Sequence, residues 1–136
     1  MTALDEVDAG RLDLGEMVRI RSGDLTVFHQ PIRDIVRRDG SFSADYAELV
    51  ERAITQSDNT ANDRILRRVG GPAAVQDFLD THGLSSIRFG TDERSKQSAI
   101  AGLEWRQDYA QGPAFFEARD EVSPAVRRSA FEAYLA

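Results

Sequence analysis

The triplet Ser57-Asp58-Asn59 sets a hydroxyl, a carboxylate and a carboxamide side by side where one helical pattern stops and another begins. On residue chemistry alone it reads as a capping turn, because serine, aspartate and asparagine are the preferred helix N-caps, and Ser57 or Asp58 is placed to serve. A serine that attacks a carbonyl needs a partner to take its proton. Ser57 has no histidine near it in sequence, and no other serine has a recognisable partner. Sixteen of the seventeen basic residues are arginine and Lys96 is the only lysine, so any step that needs an amine has one candidate. Cysteine is absent, which removes thiol chemistry and disulfides without fixing a compartment. His29 and His82 lie far apart without acidic or cysteine partners at ligand spacing; they read as partly buried structural histidines, and neither metal nor other cofactor is expected.

The elements around the triplet are well marked. Before it, "SADYAELVERAI" places Tyr46, Leu49, Val50, Ala53 and Ile54 at i, i+3, i+4, i+7 and i+8, which predicts an amphipathic helix with Ser43 as N-cap. After it, "TANDRILRRVGG" aligns Ala61, Ile65, Leu66 and Val69, carries Arg67 and Arg68 in its last turn, and stops at Gly70. A third helix, "GPAAVQDFLDTHG", opens with Pro72, aligns Val75, Phe78, Leu79 and His82, and ends at Gly83. Upstream, "MTALDEVDAG" predicts a short helix, and "MVRIRSGDLTVF" partly alternates around Val18, Ile20, Leu25 and Val27 as extended chain or one short strand, ended by Pro31. Downstream, "LSSIRFGTDE" is a loop, "RSKQSAIAGLEW" is consistent with helix, "RQDYAQGPAFFEARDEV" fits no pattern, and "SPAVRRSAFEAYLA" is a helix capped at Ser123 and Pro124. Trp105, Tyr109, Phe115 and Phe116 belong to the core or its rim, and the three arginine pairs to the surface. The expectation is one all-α domain over residues 1–136.

Composition narrows the partners. The 136 residues are 41% hydrophobic and 29% charged, the content of one globular domain with a real core. A net charge of −6 argues against nucleic acid and acidic membrane surfaces and for small molecules or proteins. Neither a bilayer-length apolar run nor a basic leader is present.

"ELVERAITQSDNTANDRILRRVGGPAAVQDFLDTHG" resembles the helical region of the class A β-lactamases and related penicillin-recognising serine hydrolases, in which Ser-Asp-Asn-Thr-Ala follows one helix and Gly-Gly precedes another. "VDAGRLDLGEMVRI" is similar to the segment after that family's nucleophile helix. The resemblance implies that Ser57 relays protons near the substrate carboxylate, that Asn59 donates to the substrate amide carbonyl, and that Asp58 fixes the loop. Acyl transfer needs donors held rigidly around the acyl group, and a corner between packed helices supplies them. The resemblance also places Glu93, five residues after Arg88, where the family activates its deacylating water; a solvated first-turn carboxylate is the other reading. It implies a β-lactam or cell-wall peptide as substrate and a periplasmic or secreted setting.

The departures are specific. Between Arg88 and Glu93 the family's Asp-Arg pair is replaced by Gly90 and Thr91, and its asparagine four residues after the glutamate is Gln97. Asp63 stands six residues after Ser57 where the family usually has asparagine; if it faced Glu93, two carboxylates would meet and one pKa would rise. Lys96 belongs to neither Ser-X-X-Lys nor Lys-Thr-Gly, the family's other two motifs. The chain therefore reads as the helical domain of a two-domain serine hydrolase without its α/β sheet domain, inactive alone and prone to self-associate through the uncovered apolar face. The alternative is a non-catalytic helical binding or assembly module with the same fold.

Overall fold

Tyr46 and Leu49, the leading pair of the stripe before the corner, are buried to 1% and 0% exposure, and Ala61, Leu66 and Val69 from the stripe after it are buried as well. In the computed structural model, which describes residues 1–136, these stripes belong to α3 (Tyr46–Thr55) and α4 (Asn59–Arg68), packed against each other across the corner. Around them run α1 (Thr2–Asp8), β1 (Met17–Ile20), α2 (Ile32–Asp39), β2 (Phe42–Asp45), α5 (Gly71–Thr81), α6 (Glu93–Ile100), α7 (Pro113–Glu121) and α8 (Pro124–Leu135). The main core gathers Ile20, Leu25, Ile32, Tyr46, Leu49 and Ala61, and a smaller one gathers Val27, Ala101, Tyr109 and Phe115. Trp105 packs against both clusters, and Phe116 sits at the rim, 44% exposed. The expected all-α domain is present, with a two-stranded ribbon added. No helix is long and apolar enough to cross a membrane.

Several local expectations are corrected. Ser43 does not cap α3; it lies exposed in β2, opposite Arg19 in an antiparallel pair that runs from Met17↔Asp45 to Ile20↔Phe42. The pairing satisfies the backbone of both strands, and the cap passes to Asp45, whose carboxylate accepts the Glu48 N–H at 2.8 Å. Ile54 is 75% exposed, because the buried stripe of α3 ends a turn earlier. Neither histidine is partly buried: both are exposed, and His82 lays its ring against Phe78 with centroids 4.1 Å apart. The face of α5 is half-buried, against α1 and α4.

Two helices had no sequence signal strong enough to predict them. In α2, "RDIVRRDG" is mostly charged and only Ile32 and Val36 are buried. Its first N–H has no local cap, and the acceptor comes from Asp58, 26 residues later. The patternless segment after Trp105 forms a 3₁₀ turn over Gln107–Gln111 and then α7. By contrast α8 begins as expected, with the Ser123 hydroxyl accepting the Val126 N–H at 3.3 Å.

Leu49→Ala, at a fully buried position, is expected to cost about 2–5 kcal/mol in urea unfolding. Ile54→Ala is expected to cost less than about 0.5 kcal/mol in the same measurement. Equal effects would mean that the packing face of α3 is misplaced.

Candidate functional site

The corner is held from behind by Asp58. Its side chain is fully buried, Oδ1 accepts the Ala61 N–H at 3.0 Å, and Oδ2 accepts the Ile32 N–H at 2.8 Å. One carboxylate thus caps α4 and α2 together, where both helix dipoles favour negative charge. Asn59 follows: its N–H donates to His29 O and its Nδ2 to Val27 O, each at 3.0 Å. Its carboxamide oxygen takes no hydrogen bond from the chain.

Ser57 sits at the exposed tip between the two helices, with φ at +52°. The Asp58 N–H reaches back to Arg52 O at 3.3 Å, which closes α3 with a left-handed residue in the position usually given to glycine or asparagine. A serine there carries strain of order 1 kcal/mol. The one other non-glycine residue with positive φ is Phe28, at +64°, between the two residues whose carbonyls Asn59 holds. Both strained positions therefore fall at one place. The Ser57 hydroxyl makes no hydrogen bond within the chain, so no base activates it here.

Behind the corner a buried polar network ties α4 to the segment before α2. Thr60 Oγ1 donates to Gln30 Oε1 at 2.6 Å, Gln30 Nε2 donates to Thr26 O at 2.6 Å and Ala110 O at 3.2 Å, and the Thr26 hydroxyl donates to Asp63 Oδ2 at 2.8 Å. Sequence reasoning missed Thr26, Gln30 and Thr60, because, apart from the Thr26–Gln30 pair itself, their partners lie 30 to 80 residues away and no local pattern announces them.

Asp63, 1% exposed, extends this network to α6 by accepting the Glu93 N–H at 3.0 Å on Oδ1. The two carboxylates do not meet. Glu93 turns its own side chain to Gln97, whose Nε2 donates at 2.7 Å, and to Lys96, whose Nζ lies 2.5 Å from Oε2. Burial, with a smaller push from Asp92, raises the Asp63 pKa against the lowering effect of the Glu93 and Arg94 N–H groups and the Thr26 hydroxyl. Arg88 is exposed in the loop before α6 and forms no ion pair with Glu93. No three His, Cys, Asp or Glu side chains converge as a metal site.

Two outcomes follow from this geometry. Ser57→Gly removes the backbone strain and is expected to raise stability by about 1 kcal/mol in thermal or urea unfolding; a loss would show that Ser57 holds the corner through its side chain. For Asp63, a raised folded pKa means the folded state binds the proton more tightly than the unfolded chain. The stability this gives is full below the ordinary carboxylate pKa of about 3.9 and is lost as pH rises through the raised folded value. Asp63→Asn, which keeps an acceptor for the Glu93 N–H, should therefore gain on the parent as pH rises from about 3 to 7, and a difference independent of pH would count against the shift.

Comparison with known proteins addresses the family. The model of the Beta-lactamase enzyme family matches residues 1–119. The extended-spectrum β-lactamase PER-1 of Pseudomonas aeruginosa is 35% identical over 85 residues, covering 62% of this chain and 27% of PER-1. Among solved structures, a β-lactamase from Chitinophaga pinensis superposes with a TM-score of 0.65 at 26% identity over 93% of this chain. The class A β-lactamase reconstructed for the last common ancestor of Gram-negative bacteria superposes at 0.61, with 32% identity over 95% of the chain. The chain spans 48% and 50% of those two structures, the helical part of their fold. A helix-packed Ser-Asp-Asn corner, a family model covering most of the sequence, and shared architecture at these identities converge: the chain belongs to the β-lactamase enzyme family.

Proposed function

We propose that the chain is the helical part of a β-lactamase-like serine hydrolase, and that Ser57 and Asn59 belong to its acyl-transfer site. The observation that supports this most directly is the strained, exposed Ser57 carried on a buried, doubly bonded Asp58. The left-handed turn closes α3 whatever residue stands there, so what a hydroxyl that must meet a substrate accounts for is the choice of serine over glycine at this exposed, strained position. In this reading Ser57 relays protons, Asn59 donates to the acyl amide carbonyl, Glu93 activates the deacylating water, and Asp58 and Asp63 hold the segments that carry them. The substrate is a β-lactam or a cell-wall peptide, and the name of PER-1 favours the first. The nucleophile is supplied from outside these 136 residues, because Ser57 lacks a base and Lys96 is engaged by Glu93.

The chain alone is therefore expected to be silent. Incubation with a penicillin and a chromogenic cephalosporin should leave its intact mass unchanged and give hydrolysis equal to buffer. A stoichiometric adduct on Ser57, or turnover abolished by Ser57→Ala, would show that the chain carries its own nucleophile. In a longer polypeptide containing Ser-X-X-Lys and Lys-Thr-Gly segments, acylation should appear and fall about 10²-fold in Ser57→Ala, the size of a lost proton relay. Acylation unaffected by that change would remove Ser57 from the site.

A binding or assembly role rests on a separate observation: α8 has no buried residue and leaves Val126, Phe131 and Leu135 between 48% and 67% exposed. Apolar groups at that density favour association. Sedimentation at high micromolar concentration is expected to show a dimer or larger species, and a clean monomer would argue against it.

A further inference from the structure

The segment that Asp58 and Asn59 hold from one end also lines an open cleft of about 700 Å³, between residues 28–34 and 111–116. Its apolar wall is aromatic: the rings of Phe28 and Phe116 stack with centroids 5.9 Å apart and planes 21° apart, and Phe115 meets Phe28 edge-on at 5.1 Å. Among its polar lining, Gln30 is consumed by the network behind the corner, and Gln111 is held by Arg37, which donates to its side-chain oxygen at 2.7 Å and its carbonyl at 3.1 Å.

Arg33 is different. Its guanidinium has five N–H groups in a planar fork, yet it gives the chain a single hydrogen bond, from Nη1 to Ala110 O at 3.2 Å. Its Nε is shut off from solvent without a partner. The nearest carboxylate, Asp34, stands 4.0 Å from Nε, too far for a hydrogen bond, and is 76% exposed with Arg37 also 3.7 Å away. A largely buried guanidinium with most of its donors unspent, beside an aromatic wall, favours a planar acceptor of opposite charge attached to something apolar.

We infer that this cleft is a binding site for a carboxylate carried on an aromatic or apolar group, with Arg33 taking the carboxylate and the Phe28–Phe116 wall taking the apolar part. The carboxylate belongs either to a free acid or to the C-terminal residue of a peptide. None of Ser57, Asn59 and Glu93 lines the cleft, so this site stands or falls independently of the acyl-transfer reading.

The test is titration of the ¹⁵N-labelled chain, followed by NMR, with phenylacetate and phenylacetamide, and with N-acetylphenylalanine and its amide. Each acid is expected to bind at least about tenfold more tightly than its amide, the weight of a charge-assisted bond to Arg33, with shifts centred on the amides of Phe28, His29, Gly112 and Phe116. The tighter acid identifies the free or the peptide form, and either supports the site. Arg33→Gln should abolish the preference for acid over amide. Asp34→Asn alters a side chain that is 76% exposed, and should tighten acid binding by removing the competing carboxylate. Acids and amides that bind alike, shifts confined to other surfaces, a preference that survives in folded Arg33→Gln, or acid binding not strengthened in Asp34→Asn would each overturn the assignment.

Discussion

A single buried carboxylate organises this molecule. Taking a charged aspartate out of water costs several kcal/mol, and Asp58 tolerates it because two backbone N–H groups, each at the start of a helix, point at its two oxygens. The same two bonds fix α2 against α4 and set the chain between them, so the position of Ser57 and the direction of Asn59 follow from one side chain. If that carboxylate were lost, the first N–H of α2 would have no acceptor, and the segment from Thr26 to Pro31 would lose its attachment to the corner at that end.

The rigidity spreads outward through polar rather than apolar contacts. Thr26, Gln30 and Thr60 exchange hydrogen bonds in the interior, and Asp63 continues the chain of contacts to the first residue of α6. Every member is buried and every member has partners, which is the condition under which such a network specifies one arrangement. Its geometric consequence is that Asn59 and Glu93, carried on different helices, are referred to one frame. Asp63 supports that frame at an electrostatic cost, since its carboxylate is buried where Asp92 adds like charge.

The strain at Ser57 and Phe28 belongs to the same economy of structure. Each residue is forced into left-handed backbone by bonds its neighbours make: Asp58 N–H to Arg52 O on one side of the corner, and Asn59 to the carbonyls of Val27 and His29 on the other. Helix packing on one side and the buried network on the other hold both conformations against relaxation. The aromatic ring that Phe28 turns outward meets Phe115 and Phe116 from the far end of the chain, which joins the corner to the second core.

What could be read from the residues is whatever is written at short range. The apolar stripes of α3 and α4, the glycine that ends α4, the Ser123 cap of α8 and the Ser-Asp-Asn corner are spaced by three, four or seven positions, and one stretch of sequence contains both partners. Lys96 could be set aside from the family's lysine motifs by its immediate neighbours alone. Contacts that cross the chain left no such mark. The helix α2 exists through a cap 26 residues away, Ser43 is drawn into a ribbon opposite Arg19 and leaves the cap to Asp45, and the orientation of Asp63 toward the Glu93 backbone rather than its carboxylate depended on where α6 begins relative to α4. Periodicity and capping preference are local energies, legible because they act within a turn or two. The pairing of distant donors and acceptors is decided only when the whole chain is packed, because each buried polar group left without a partner costs free energy.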